Sequence, residues 1–304
     1  MRISEIFNKK EVVISFEIFP PKPNGDVNKI YNTLDELKIL KPDYISVTYG
    51  AGGSFINNKT IDLASKVKNE YNIESVAHLT CIKSTKKDID KILKLLKNNN
   101  IENILALRGD VTGNCTCGDF KYASDLISYV KMYNDFNIAG ACYPEGHPAC
   151  VTLDEDIRNL KLKVDCGVNN LVSQLFFDNN IFYNFLDKVY SANIDIPIQA
   201  GVMPVVNKKQ IERIISLCGA TFPKKFMKIV DKYEYDAIAL RDAGIAYSVE
   251  QIIDLVSSGV KGVHIYTMNN PIVAKSIINN ISSIVSCINK RSIDEFGRNQ
   301  NKYN

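Results

Sequence analysis

Glu17 and Asp110 are the carboxylates of this chain whose settings suggest chemistry. Glu17 lies near the end of an apolar run, Val12-Val13-Ile14-Ser15-Phe16-Glu17-Ile18-Phe19, closed by Pro20 and Pro21. A charge there is costly unless it is paired, protonated or turned to a cleft. Asp110 closes a second such run in Leu107-Arg108-Gly109-Asp110. Carboxylates on separate strands can converge on one cleft. If one is desolvated it keeps its proton and acts as a general acid while the other stays ionised. Each also has an ordinary reading: Glu17 as a loop cap, Asp110 as the partner of Arg108.

Further polar residues recur where apolar runs end: Thr48 and Tyr49, His78 and Thr80, Tyr143 and His147, Gln174, and Tyr266, Thr267 and Asn269. The chain has three histidines. His78 and His147 fall at such ends, whereas His264, in Gly262-Val263-His264-Ile265-Tyr266, reads as a satisfied core residue. No Ser-His-Asp order, H-E-x-x-H motif or strand-borne Schiff-base lysine occurs, which argues against hydrolase and aldolase chemistry. An organic cofactor could then carry the reaction. Of eight cysteines, only Cys115 and Cys117 have ligand-like spacing. No second pair completes a metal site, so a loop with two reduced thiols is expected and no metal.

What places these residues is an alternation of strand-like and helix-like segments along the whole chain. Strands are expected over 12–19, 44–49, 75–82, 103–107, 137–143, 170–177, 197–205 and 262–268, with helical periodicity between them. Extra helices are expected over 223–232 and 235–257, the second interrupted near Gly244, and a last helix over 271–288. Strand–helix alternation requires a parallel sheet with helical crossovers. Eight units point to a (β/α)8 TIM barrel, a single domain over 1–289 with a polar, disordered tail over 290–304. The other candidate is a doubly wound sheet, but no G-x-G-x-x-G follows an early strand, and Gly50-Ala51-Gly52-Gly53 misses that spacing.

Composition narrows the class. The 304 residues are 45% hydrophobic and 23% charged, with a net charge of +3 spread among acidic residues. This is an ordinary globular composition without a nucleic-acid footprint. No apolar run of membrane-span length is expected, and the N-terminal run lacks the apolar core of a signal peptide, so a cytoplasmic protein is expected.

Ten runs, in order over about 14–288, together resemble methylenetetrahydrofolate reductase of the bacterial, catalytic-domain-only type. They include Ser15-Phe16-Glu17-Ile18-Phe19-Pro20-Pro21, Ser46-Val47-Thr48-Tyr49-Gly50-Ala51, His78-Leu79-Thr80-Cys81, Leu105-Ala106-Leu107-Arg108-Gly109-Asp110 and Tyr122-Ala123-Ser124-Asp125-Leu126. Tyr143-Pro144-Glu145-Gly146-His147-Pro148, Lys163-Val164-Asp165-Cys166-Gly167, Gln174-Leu175-Phe176-Phe177-Asp178, Gly201-Val202-Met203-Pro204-Val205 and His264-Ile265-Tyr266-Thr267-Met268-Asn269 complete the set. The resemblance implies a flavin barrel that takes hydride from NADH or NADPH and reduces 5,10-methylenetetrahydrofolate to 5-methyltetrahydrofolate. That reaction belongs to one-carbon metabolism and serves methionine biosynthesis or an acetyl-CoA pathway.

Residue by residue, Glu17 matches the family's general acid and Asp110 the aspartate beside flavin and folate. Gln174, with Asp110 and Thr48, matches the folate contacts. For the flavin the matching positions are Thr48, Tyr49, Ala51, His78, Arg108, Gly109, Asp110, Tyr122, Ala123, Tyr143, His147, Asp156, Asn159 and Lys163. FAD is expected rather than FMN, because Asp156, Asn159 and Lys163 share one helix face suited to an extended dinucleotide. Two departures fall on the substrate and donor side. Lys208 stands where bacterial members often carry an apolar or aromatic residue, and Asn270 where many carry an arginine for the folate glutamate tail. With Cys115 and Cys117 they keep open a subunit fed by an iron–sulfur or ferredoxin-type partner protein. A proline-dehydrogenase-like flavin barrel and a non-catalytic binding barrel are further alternatives. A homo-oligomer is expected.

Overall fold

The structure, a computed structural model, describes residues 1–21, 25–49, 58–110 and 118–300. A short helix α1 (Ile3–Phe7) precedes β1 (Val13–Ile18) and α2 (Val27–Ile39). Then follow β2 (Tyr44–Val47), α3 (Asn58–Asn69), β3 (Glu74–Thr80), α4 (Lys86–Asn98), β4 (Asn103–Leu107) and α5 (Ala123–Lys131). The second half holds β5 (Asn137–Cys142), α6 (Leu153–Asp165), β6 (Asn170–Ser173), α7 (Asn179–Ser191), β7 (Ile198–Val202) and α8 (Lys208–Cys218). The insertion α9 (Lys224–Tyr233) and α10 (Ala237–Ser257) lead to β8 (Gly262–Tyr266) and α11 (Pro271–Gln300). All eight strands pair in parallel in sequence order and close on themselves, β8 against β1. This is the expected TIM barrel.

Period-two alternation sorts each strand. Ile14, Phe16 and Ile18 belong to the large apolar layer between barrel and helices. Val13, Ser15 and Glu17 take the opposite, inner face. The floor of the barrel is apolar: Val13, Tyr44, Val76, Leu105 and Ala139 cluster with Ile3 and Ile6 of α1. This helix is too short to leave a periodic signal and was not expected. Its first-turn N–H groups are satisfied by the barrel itself, Ile3 N donating to Asn103 Oδ1 (2.9 Å) and Ser4 N to Asn137 Oδ1 (3.2 Å).

Above the floor the interior turns polar. Ser15, Ser46, His78, Gln199 and His264 are all buried on inner faces. Burial pushes the imidazole of His78 down to about 4, outweighing the attraction of Glu17, so it is neutral near pH 7.

Three expectations are corrected. First, α10 runs unbroken through Gly244. The glycine is there for close approach: a Cβ at this position would lie 1.8 Å from the carbonyl oxygen of Val205. Second, β6 and β7 end earlier than their apolar runs. Leu175, Phe177, Met203 and Val205 lie beyond the strands in a second apolar cluster with Ile211, Phe226, Val230 and Leu240, roofed by α8, α9 and α10. Third, one stretch does reach membrane-span length and apolarity, Pro271–Lys290 of α11, with mean hydropathy 1.3. Its stripe Val273, Ala274, Ile277 and Ile281 is part of the barrel's outer core, and Lys275, Asn279, Asn280, Ser282 and Ser283 line its exposed side. The helix continues to Gln300, past the expected end at 288.

Two outcomes follow from this packing. Gly244→Ala gains up to about 1 kcal/mol of helix propensity. Displacing backbone costs about 1–3 kcal/mol or more, so the variant should unfold at lower urea, and an unchanged midpoint would refute the contact. For His78, the unfolded chain takes up a proton below the ordinary value of 6.5, while the folded chain does so only near 4. Stability should therefore fall as pH drops through that window, by on the order of 3 kcal/mol. In His78→Asn, urea midpoints at about pH 7.5 and about pH 4.5 should differ less than in the parent chain.

Candidate active site

Glu17 stands at the inner mouth of the barrel with its side chain 18% exposed. Two imidazoles face the same carboxylate oxygen, Oε2: His78 Nε2 of β3 at 3.6 Å and His264 Nε2 of β8 at 3.5 Å. His78 Nε2 is buried without a hydrogen-bond partner. The Glu17 backbone is pinned from β8. Thr267 Oγ1 donates to the Glu17 carbonyl (2.6 Å), and Asn269 takes both sides of Phe19, accepting from its N–H (3.1 Å) and donating to its carbonyl (2.9 Å). Met268 and Asn269 adopt left-handed backbone (φ 51° and 54°), uncommon for residues with a Cβ, and these bonds hold the turn.

Beneath Glu17 runs a hydrogen-bonded column. Tyr44 OH donates to Gln199 Oε1, and Gln199 Nε2 donates to Ser15 Oγ (3.1 Å). Ser15 Oγ lies 2.7 Å from His264 Nδ1, and Ser46 Oγ lies 3.4 Å from His264 Nε2. Burial keeps the Tyr44 and Tyr266 phenols protonated far above neutral pH. Tyr266 OH donates to the Ser173 carbonyl (2.8 Å).

A second group gathers on the β4 and β5 side. The Tyr143 and His147 rings meet edge-on at 4.7 Å. Asp156 of α6 is buried and accepts from His147 N (3.2 Å) and from Cys150 Sγ (3.6 Å). Burial raises its carboxyl above the ordinary value, against the pull of Lys163. Lys163 donates to the Ala141 carbonyl (2.7 Å), and burial holds its ammonium below the usual lysine range. His147 Nδ1 accepts from Ala149 N (3.0 Å), and the ring is held below the ordinary histidine value by burial and then by Arg108. Burial pushes Tyr143 up to about 12, with Asp156, Arg108 and Asp110 all close enough to act on it. Tyr266 lies within electrostatic reach of both Glu17 and Tyr143, which ties the two groups together.

The remaining sequence candidates are distributed around this mouth. Arg108 is half-buried and its carbonyl accepts from Cys81 N and Ile82 N; Gly109 follows at φ 85°. Asp110 is exposed, and among the described residues no ion pair joins it to Arg108. Thr48 and Tyr49 are half-buried just past β2, Tyr122 is exposed before α5, and Ala123 opens that helix. Asn159 is exposed and donates to Cys150 Sγ (3.5 Å). Gln174 is half-buried with Oε1 accepting from Leu175 N (2.9 Å). Ala51, Cys115 and Cys117 lie outside the described residues.

Both departures have local explanations. Lys208 opens α8, where a cation opposes the helix dipole, and its ammonium is paired with Asp231 (2.8 Å) and Glu234 (2.6 Å). Asn270 caps α11, accepting from Val273 N (3.3 Å). Sequence reasoning missed His264 as a neighbour of Glu17, and with it Ser15, Ser46, Gln199 and Tyr44. Parity was the available signal: Ser15 and Glu17 share a strand face, as do His264 and Tyr266.

The chain matches the family model described as methylenetetrahydrofolate reductase over residues 2–282. It is 36% identical over 259 residues to the Escherichia coli 5,10-methylenetetrahydrofolate reductase, covering 85% of this chain and 87% of that protein. It is 37% identical over 277 residues to methylenetetrahydrofolate reductase 1 of Schizosaccharomyces pombe, covering 89% of this chain and 46% of the relative, so it spans about half of that longer protein. An uncharacterized Clostridium thermocellum protein that binds two copies of 5-methyl-5,6,7,8-tetrahydrofolic acid shares the fold. Its TM-score is 0.61 at 15% identity, with 94% of this chain and 100% of that one covered. A match over nearly the whole chain, on a closed eight-stranded barrel with a glutamate at its mouth, leads to one assignment: this chain belongs to the methylenetetrahydrofolate reductase family and is an oxidoreductase of one-carbon folate metabolism.

Proposed function

We propose that Glu17 is the general acid for 5,10-methylenetetrahydrofolate, protonating a ring nitrogen so that the five-membered ring opens to an iminium cation. The observation that carries this is its setting: a carboxyl group at the inner mouth, 18% exposed, with His78 and His264 within 3.6 Å. A partly dry site strengthens its interaction with a cationic intermediate. Asp110, exposed at the rim, adds negative charge that favours the same cation, and Gln174 contributes an amide to the substrate.

The β4–β5 side fits an anionic dinucleotide such as FAD. It combines the cations of Arg108 and Lys163 with the acceptors Asp156 and Asn159 and the rings of Tyr143 and His147. Gly109, at φ 85°, leaves the floor of this cradle low; a Cβ there would press to 3.1 Å on Thr80. Arg108 and Lys163 would answer the pyrophosphate, Asp156 and Asn159 the ribose hydroxyls, with Thr48, Tyr49, His78, Tyr122 and Ala123 completing the walls. A bound flavin supplies the hydride chemistry that side chains lack. The donor in this reading is NADH or NADPH; the Lys208 ammonium is paired with Asp231 and Glu234.

The test is anaerobic. The purified protein should show a flavin spectrum, bleach with NADH or NADPH, and recover its colour with methylenetetrahydrofolate. In Glu17→Gln the recovery step should slow by about 10²–10⁴-fold while bleaching persists. Normal recovery in that variant would remove Glu17 as the acid. A flavin that neither nicotinamide reduces, yet exchanges electrons with the folate pair, would mark a subunit fed by a partner protein.

A further inference from the structure

We propose that Cys150 is a positioning residue for the dinucleotide: its thiol turns Asn159 so that the amide oxygen is offered to a ribose hydroxyl, which favours FAD over FMN. The inference rests on the reading of the β4–β5 side given above. Asp156 and Asn159 stand three residues apart on α6, so their side chains are neighbours on one helix face. Cys150 lies in the turn before that helix, where its N–H donates to the His147 carbonyl (2.8 Å). From there its Sγ reaches both side chains, Asp156 Oδ1 at 3.6 Å and Asn159 Nδ2 at 3.5 Å.

Donors and acceptors fix the direction of each bond. A thiol has one proton, and a carboxylate only accepts, so the S–H goes to Asp156 Oδ1. The other oxygen, Oδ2, takes the N–H of His147 (3.2 Å), and with 8% exposure the carboxyl group has no room to leave the sulfur. Sulfur is then left as an acceptor, and the amide nitrogen is the donor that the Asn159 side chain can bring to it. The nitrogen therefore faces Cys150 and the amide oxygen faces away. Asn159 is exposed, so without the sulfur its amide can turn over and present N–H groups, which suit a phosphate oxygen and not a hydroxyl. Burial raises the half-buried Cys150 thiol above its ordinary value, so the proton stays on the sulfur at neutral pH. A ribose hydroxyl needs the acceptor this arrangement supplies. FMN ends at its first phosphate and carries no adenosine ribose.

The test is a binding measurement on the full chain. Purified protein depleted of flavin is titrated with FAD and, separately, with FMN, and flavin fluorescence reports each affinity. Cys150→Ala should weaken FAD binding by about three- to tenfold and leave FMN binding within about twofold. Cys150→Ser, which keeps a donor and an acceptor, should restore most of the loss. Cys150→Val fills the space with neither, and it serves if the alanine variant does not fold. In an Asn159→Ala background the Cys150→Ala loss should shrink, because the two residues act as one unit. A loss shared equally by FAD and FMN would reduce Cys150 to a structural residue of the turn and overturns the proposal. So does unchanged FAD affinity in a folded variant, or a loss that is the same with and without Asn159. A parent chain that binds FMN as tightly as FAD, or takes up no flavin, would instead sink the reading of the β4–β5 side itself.

Discussion

A carboxyl group turned into a closed barrel has to be answered by dipoles, because water reaches only part of it. This constraint organises the interior. Barrels commonly fill their centre with layers of branched aliphatic side chains. Here the aliphatic layer is confined to the floor, where α1 closes the bottom against Val13, Val76 and Leu105. The level above is given to Ser15, Ser46, Gln199 and His264, each with a hydrogen-bond partner. An unpartnered polar group there costs about 1–3 kcal/mol, and at this level His78 Nε2, facing Glu17, is the one described side-chain atom left without a hydrogen bond. Register carries the whole arrangement. A slip of one residue in β1 would turn Glu17 toward the helices and bring Phe16 inward.

The polar residues of the mouth fall on two sides. Glu17, His78 and His264 form one, from β1, β3 and β8. Arg108, Tyr143, His147, Asp156 and Lys163 form the other, from β4, β5 and α6. Tyr266 stands between them, its hydroxyl anchored on the Ser173 carbonyl. The insertion before β8 roofs the ends of β6 and β7 through Phe226 and Val230 and ties Lys208 down. The polar groups thus sit at the strand ends, while α8, α9 and α10 cover apolar surface.

The barrel was legible because each strand announces itself by an apolar run and each crossover by helical spacing, and β4 was placed without error. Strand ends were legible less well. The runs after β6 and β7 stay apolar, since Leu175 and Met203 have a second cluster to join, and composition cannot tell a strand from a covered loop. Gly244 misled for the opposite reason: glycine breaks many helices, yet here it admits the Val205 carbonyl. Glu17 could be picked out because an acid in an apolar run is conspicuous. His264 could not, because one histidine in a β-run looks like any core residue. Its place near Glu17 depends on the residue of β1 that lies beside it, Ser15, and that pairing is between the two ends of the chain.

The seam between β1 and β8 has a further consequence. Glu17 is made among the first residues, while the side chains that hold it, His264, Thr267 and Asn269, are made some 250 positions later. During synthesis the acid waits on an open edge with neither its imidazole nor its backbone clamp. The clamp on Glu17 can form only once β8 and the turn after it are made and pair with β1.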